Sequence, residues 1–226
     1  MYKHVFAVLA LITVSSMATA NLISDGNFDS TTLNAGAANL NFSNDNLNKW
    51  YTYSTPDNSF YKITEQGYVS PAVKDQLGST LVQIIEAPQI GNYNFEFDYR
   101  LSDDSDMFST VKVFGIKDDN SNFSVELDTW NTSFTDIDSV KTLYDQGGEY
   151  SFLPSSQNWT NASSLLTVEQ NIDYIAICSA FSYDGTMESI LNEHADIDNF
   201  AFSAIPEPAT LAMLSIGCLL VFRKRK

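Results

Sequence analysis

The side chains of this chain that could engage a ligand are aromatic. Trp50, Trp130 and Trp159, with Tyr51 and Tyr53 beside the first, could stack on the flat apolar face of a sugar ring. To do so they must stand on a sheet face or at a loop rim among a few polar groups. The alternative is a core position, above all for Trp50 and Trp130, which fall on expected strands; Trp159, in Ser155-Ser156-Gln157-Asn158-Trp159-Thr160-Asn161, is either a loop-tip contact or a plug beneath the loop. Other chemistries lack their residues. Cys218 lies in the C-terminal apolar run, which leaves Cys178 alone in the rest of the chain, so no intramolecular disulfide is expected. Cys178 sits in the strand-like run Ile172-Asp173-Tyr174-Ile175-Ala176-Ile177-Cys178-Ser179-Ala180 and reads as a small core thiol. His194 is the only histidine beyond residue 20, so neither a zinc site nor a Cys/His pair can be assembled. There is no Ser-centred elbow and no phosphate loop. A glycosidase using two of the many acids stays open as the enzyme alternative, because carboxylate separation is a property of the fold; the expectation is a protein without catalysis.

Both ends of the chain read as addresses. Lys3 and His4 form a short polar start, Val5 to Val14 is an apolar stretch, and Ala18-Thr19-Ala20 is the small-residue site that signal peptidase prefers, with cleavage before Asn21. At the other end, Ile205-Pro206-Glu207-Pro208-Ala209-Thr210 leads into an apolar run from Leu211 to Phe222, broken by Ser215 and Gly217 and closed by Arg223, Lys224, Arg225 and Lys226. Pro206 and Pro208 fix φ and remove two amide donors, which predicts an extended, accessible stretch around Glu207. The run from Ala209 to Phe222 is shorter than the roughly 20 residues of a comfortable span, and the cations behind it are expected to stay cytoplasmic. This order resembles the PEP-CTERM sorting signal of Gram-negative bacteria. The resemblance implies processing at Pro206-Glu207-Pro208 by an exosortase-type membrane protease and delivery to the envelope surface or the extracellular, exopolysaccharide-bearing matrix of a biofilm. The alternative is a permanent tail anchor with a proline-containing stalk.

The expected organisation is therefore a signal peptide (1–20), one domain (21–203) and a sorting segment (204–226) with a short transmembrane helix. The whole chain carries a formal charge of −16. Removal of the two ends takes five cations and one acid with it, leaving the domain at about −20. Such a charge excludes nucleic acid, whose phosphates are bound by Lys and Arg, and excludes an anionic membrane as a partner except through the C-terminal segment before processing. It favours divalent cations. The length beyond residue 20 fits a single domain with a sound core.

Periodicity along that domain is two. Tyr93, Phe95, Phe97, Tyr99 and Leu101 alternate with Asn94, Glu96, Asp98, Arg100 and Ser102, the pattern of a strand with one face in the core and one in water. Further strands are predicted over Trp50–Ser54, Phe60–Thr64, Ser79–Glu86, Thr110–Ile116, Phe123–Trp130, Ser164–Val168, Tyr174–Phe181 and Ile197–Ser203, with one helical turn within Asp184–Glu193. Turn signals such as Ala87-Pro88-Gln89-Ile90-Gly91-Asn92 and Gln146-Gly147-Gly148 separate them. Many short strands at this spacing predict an all-β fold, a single β-sandwich.

The opening Asn21-Leu22-Ile23-Ser24-Asp25-Gly26-Asn27-Phe28-Asp29 and the closing Ala195-Asp196-Ile197-Asp198-Asn199-Phe200-Ala201-Phe202-Ser203 resemble the first and last strands of galactose-binding-like and carbohydrate-binding-module jelly rolls. That resemblance narrows the sandwich to a jelly roll and makes recognition of a polysaccharide the alternative to a purely structural matrix role. By strict alternation Asp198 shares a face with Phe200 and Phe202, which points a carboxylate toward the core, where isolated burial is costly. It needs a partner. The resemblance implies a structural Ca²⁺ held by Asp198 and Asp29 with Asp25 and Asn27 nearby, a hard-oxygen set suited to calcium. The alternative is that Asp198 caps a turn by accepting backbone amides. The cluster Asp103, Asp104, Asp106 lacks the glycine and closing glutamate of an EF-hand loop and is expected as a solvated loop.

Overall fold

A computed structural model of the protein describes residues 21–29, 33–35, 39–42, 47–54, 61–71, 78–102, 107–118, 123–127, 132–145, 153–183 and 195–205. The expected signal peptide, the Pro206-Glu207-Pro208 motif with all that follows it, Trp130, the Asp103 cluster and the expected helical turn lie outside these residues. Every element among them is a strand. No helix of the described residues is long and apolar enough to cross a membrane.

Two sheets form the sandwich. One has five strands in the order β12 (Ser156–Val168), β7 (Gly91–Leu101), β14 (Ala195–Ala204), β5 (Val69–Pro71) and β4 (Tyr61–Ile63). The other has six: β1 (Asn34–Ala35), β3 (Trp50–Ser54), β6 (Gly78–Glu86), β13 (Tyr174–Tyr183), β8 (Met107–Lys117) and β11 (Ser139–Asp145). From β5 to β8, and again from β11 to β14, each successive strand lies in the opposite sheet. Such crossovers pair strands that are distant in sequence, as jelly-roll connections do.

The interior follows from alternation. Tyr93, Phe95, Phe97, Tyr99 and Leu101 of β7 point inward from the five-stranded sheet and meet Trp50, Leu81, Ile85, Val111, Val113, Ile175, Ile177 and Phe181 of the six-stranded one. The expected two-layer sandwich gains a third layer. Strands β2 (Asn39–Phe42), β9 (Phe123–Leu127) and β10 (Thr132–Thr135) form a small sheet whose Phe123, Val125 and Phe134 cover Val82, Ile84, Phe114, Ile116, Tyr174, Ala176 and Cys178. The six-stranded sheet is thereby apolar on both faces, which is why β6, β8 and β13 read as nearly continuous apolar runs. Cys178 is a buried thiol between those two layers.

The start of the domain is locked onto its last strand. Asn21 forms a bridge with Ser203, its Oδ1 accepts the amides of Ile23 (3.1 Å) and Phe202 (2.9 Å), and its Nδ2 donates to the Phe200 carbonyl at 3.0 Å. Farther along, the buried Gln83 donates to the Ser24 carbonyl (2.9 Å) and accepts the Ser24 amide (3.1 Å), while Trp50 Nε1 donates to the same carbonyl at 3.2 Å. Burying an amide side chain is tolerable when its donor and acceptor are both used, as here. Gly26 then crosses β14 so closely that a Cβ would lie 1.9 Å from the Phe200 carbonyl oxygen. Only glycine fits that crossing.

Candidate functional site

The polar face of β7 builds the site. Asn94, Glu96, Asp98 and Arg100 stand on the side of the five-stranded sheet that faces away from the core, opposite the buried aromatics of the same strand. The neighbouring strands set what lies beside them. On one side β12 pairs Asn161 with Asp98, and on the other β14 pairs Asp196 with Arg100 and Asp198 with Asp98.

Strand β14 corrects the expected facing of Asp198. Between Asp198 and Ala201 three steps of β14 span the two steps from Asp98 to Glu96, and Asn199 takes φ of 53° to absorb the extra residue. Such a bulge turns the alternation over. Ile197 and Phe200 both reach the core, while Asp198 joins Asp196 on the outer face instead of sharing a face with Phe200. Asn199 accepts the positive φ because Asn is among the residues that tolerate it, and its amide N–H is received by Asp198 Oδ1 at 2.7 Å.

A second irregularity, in β12, exposes the tryptophan. Four steps from Ser156 to Thr160 oppose the two from Leu101 to Tyr99. Ser156 Oγ ties the excursion, donating to the Asn158 carbonyl at 2.7 Å and lying 2.7 Å from Thr160 Oγ1. Trp159 is lifted out of the ladder and is 42% exposed. Its ring meets that of Tyr68 edge to face, with centroids 5.3 Å apart and planes at 74°. The Arg100 guanidinium lies 5.2 Å from the Trp159 centroid and 5.5 Å from that of Tyr68. Both contacts are cation–π geometry. Arg100 is itself fixed by Asp196, which accepts from Nε at 2.9 Å and from Nη2 at 2.5 Å, with Tyr68 Oη a further 3.3 Å contact of Nη2.

These side chains line an open cleft of about 720 Å³ bounded by Gln66, Tyr68, Asp98, Arg100, Trp159, Asp198 and Asn199. Asp98 holds its polar floor, accepting the Asn161 amide on Oδ1 and the Asn199 amide on Oδ2, both at 2.9 Å. Partial burial pushes the Asp198 carboxyl up to about 6, against the lowering effect of the Asn199 amide and reinforced by the charges of Asp98 and Asp29. The sign follows. The folded state holds a proton on Asp198 at pH values where the unfolded chain has released it, so this group adds stability below about pH 4 and that contribution is lost as pH rises through 6. Asp198→Asn keeps the Oδ1 acceptor for Asn199 and removes the charge. It is expected to raise Tm at pH 7 and to flatten the pH dependence of Tm between 4 and 6. An unchanged profile in thermal melts would show that Asp198 does not titrate in this window.

The remaining sequence candidates fall as follows. Trp50 is 1% exposed and packs against Phe28 and Phe200, so it belongs to the core and offers no platform to a sugar. Asp29 is exposed, takes the Asn27 amide at 2.6 Å and lies beside Gly67, near enough for its charge to act on Asp198. Asp25 sits in the preceding turn, with φ of 50° and its carbonyl accepting the Phe28 amide. Among the described residues no group of three or more His, Cys, Asp or Glu side chains stands at distances that would hold a metal. Asp29 and Asp198 are neighbours in charge. Tyr68 and Arg100 were not among the sequence candidates. The signal for Arg100 was a lone cation in an otherwise acidic and amide-bearing strand face; Tyr68 gave none, because its partner on β12 is reached only through a bulge.

No protein-family model matches the chain, and no curated protein matches it. Among solved structures it is similar to TmCBM61 in complex with β-1,4-galactotriose, at a TM-score of 0.44 and 13% identity over 83% of this chain and 100% of that one. It is also similar to a CBM4 structure (0.45, 14%, over 81% and 99%) and to the C-terminal family 22 carbohydrate binding module of Clostridium thermocellum Xyn10B (0.38, 8%, over 74% and 95%). The enzymatically active domain of tailspike protein 4 of bacteriophage CBA120 aligns with 82% of this chain at 11% identity and a TM-score of 0.44, and the chain spans about a fifth of that protein.

Proposed function

We propose that the chain is an exported, non-catalytic protein whose domain binds a polysaccharide in the cleft over β7, β12 and β14. The observation behind this reading is Trp159: a large ring, 42% exposed, braced by Tyr68 and Arg100 in a cleft otherwise lined by carboxylates and amides. A braced aromatic offers a flat apolar face at low entropic cost, and the surrounding acceptors and donors suit hydroxyl groups. Of the three tryptophans considered from the sequence, Trp159 is the one given this role.

Trp159→Ala is expected to weaken binding to the recognised polysaccharide about 30-fold or more, the loss typical of truncating an aromatic anchor. The Tm is expected to stay close to that of the parent, since the ring is not part of the core. Affinity electrophoresis through a panel of embedded polysaccharides would measure both variants. Equal retention of the two on every polymer that retards the parent would remove the cleft from consideration.

The ends of the chain supply the cellular setting. Ala18-Thr19-Ala20 and the Pro206-Glu207-Pro208, apolar and basic sequence support export by signal peptidase and processing by an exosortase-type protease, with the domain delivered to exopolysaccharide outside the cell. Intact masses of the protein from cells and medium test this. New termini at Asn21 and near Pro206, the second dependent on the protease, are expected; a chain still ending at Lys226 would mark a permanent tail anchor instead.

A further inference from the structure

The cleft carries more negative charge than recognition of hydroxyl groups requires. Asp98 and Asp198 are opposed in register across β7 and β14, and like charges so placed repel. Asp29 adds to that field. The cation of the cleft, Arg100, is committed to Asp196. Among the described residues no cation is paired with Asp98 or Asp198, and Oδ2 of Asp198 accepts no hydrogen bond there. The fold holds two carboxylates together next to an exposed aromatic ring, an arrangement that a positive ligand group would relieve.

We infer that the polysaccharide is one bearing free amino groups, with Trp159 covering a sugar face and Asp98 and Asp198 receiving the ammonium of an amino sugar. This inference rests on the polysaccharide reading above. An ammonium brings three donors and needs only acceptors around it. Both oxygens of Asp98 take one amide donor each, and each keeps a further lone pair. An ammonium can share those acceptors. A uronic acid polymer is disfavoured twice, by the carboxylates of the cleft and by the domain's charge of about −20. N-acetylation of the sugar would remove the charge that the cleft is built to receive.

The test uses the full chain in mild detergent with EDTA present. Isothermal titration compares four probes: the β-1,4-linked glucosamine hexamer, its fully N-acetylated form, cellohexaose and oligogalacturonate. The free-amine hexamer is expected to bind at least about tenfold more tightly than the two neutral probes, with oligogalacturonate weakest, a separation within the range of close charge pairs. Asp98→Asn/Asp198→Asn is expected to erase that preference, so that the free-amine and neutral hexamers bind this variant equally. Asp198→Asn alone, which preserves the bulge contact, is expected to lose part of it. Substituting the exposed Glu169 and Asp136, both outside the cleft, by their amides is expected to change nothing. Equal affinity for free-amine and neutral hexamers would overturn the inference and leave the polysaccharide reading standing. A preference that survives the double variant, or that hexalysine reproduces, would trace it to overall charge and overturn it as well. No binding by any hexamer, with retention on none of the polysaccharides, would bring down both.

Discussion

Phe200→Ala is expected to destabilise the domain by about 3–5 kcal/mol, the range for deleting a buried phenylalanine. The ring is 1% exposed and sits among Phe28, Trp50, Phe95 and Phe97, with centroids 5.1 to 6.3 Å apart in the pairs that link it to them and join Phe28 to Trp50. Those partners come from the opening segment, from β3 and from β7, so the ring joins both sheets to the start of the domain. Its neighbours cannot all collapse into the space it leaves. Gly26 is fixed against the Phe200 carbonyl, and Phe200 N donates back to the Gly26 carbonyl at 2.9 Å. For a domain of this size the expected fall in Tm is roughly 6–20 °C. Phe200→Leu, which keeps much of the volume, is expected to cost clearly less. Urea denaturation of the two variants measures the difference. A loss under 1 kcal/mol for the alanine variant would mean that Phe200 is not the junction described.

The second large effect is expected from Arg100→Met. Asp196 is 2% exposed and Arg100 about one-fifth exposed, so the variant leaves a carboxylate buried without its guanidinium. Removing one partner of a buried pair costs about 3–5 kcal/mol, mostly through the charge left behind. The same substitution takes the cation from beneath Trp159 and Tyr68, so their mutual brace loosens and binding falls with stability. Arg100→Met/Asp196→Asn separates the two consequences. It is expected to recover most of the stability and little of the binding, because the buried charge is gone while the support under Trp159 is still missing. If the double variant is as unstable as the single, the cost lies in packing around the Arg100 stem and not in the charge of Asp196.

What could be read from the sequence was the part written in period two. Strand β7 shows its alternation without interruption, so its buried and exposed residues follow directly, and β6, β8 and β13 follow from their apolar runs. The third layer is harder to see, because β2 and β10 are four residues long and offer little periodicity. Strand β12 was expected only over Ser164–Val168. Its first half, Ser156 to Ser163, is largely exposed and has hardly any apolar residue to mark an inward face. The site depends on the two places where alternation breaks. The bulge at Asn199 decides which way Asp198 faces, and the excursion from Ser156 to Thr160 decides that Trp159 stands over Arg100. Neither leaves a periodic trace. Asn199 is one of several asparagines, and nothing in its neighbours announces a positive φ. The motif Asp25-Gly26-Asn27-Phe28 was conspicuous in the sequence, yet its physical reason, a backbone crossing at 1.9 Å from a would-be Cβ, belongs to the fold.

The bridge between Asn21 and Ser203 has a mechanical meaning. It brings the start of the domain to the end of β14, where Ile205 N donates to the Asn92 carbonyl at 2.9 Å. The cleft contacts of Asp198 lie about 20 Å back along the same strand. A tether pulling beyond Ile205 against a polymer held in the cleft would draw β14 lengthwise between β7 and β5. The hydrogen bonds to β7, running from Ala195 to Ala204, would then be loaded together in shear, not peeled one at a time. Asn21, clipped across Phe200 and Phe202, would share that load, so the strand that shapes the cleft would also resist tension applied along its length.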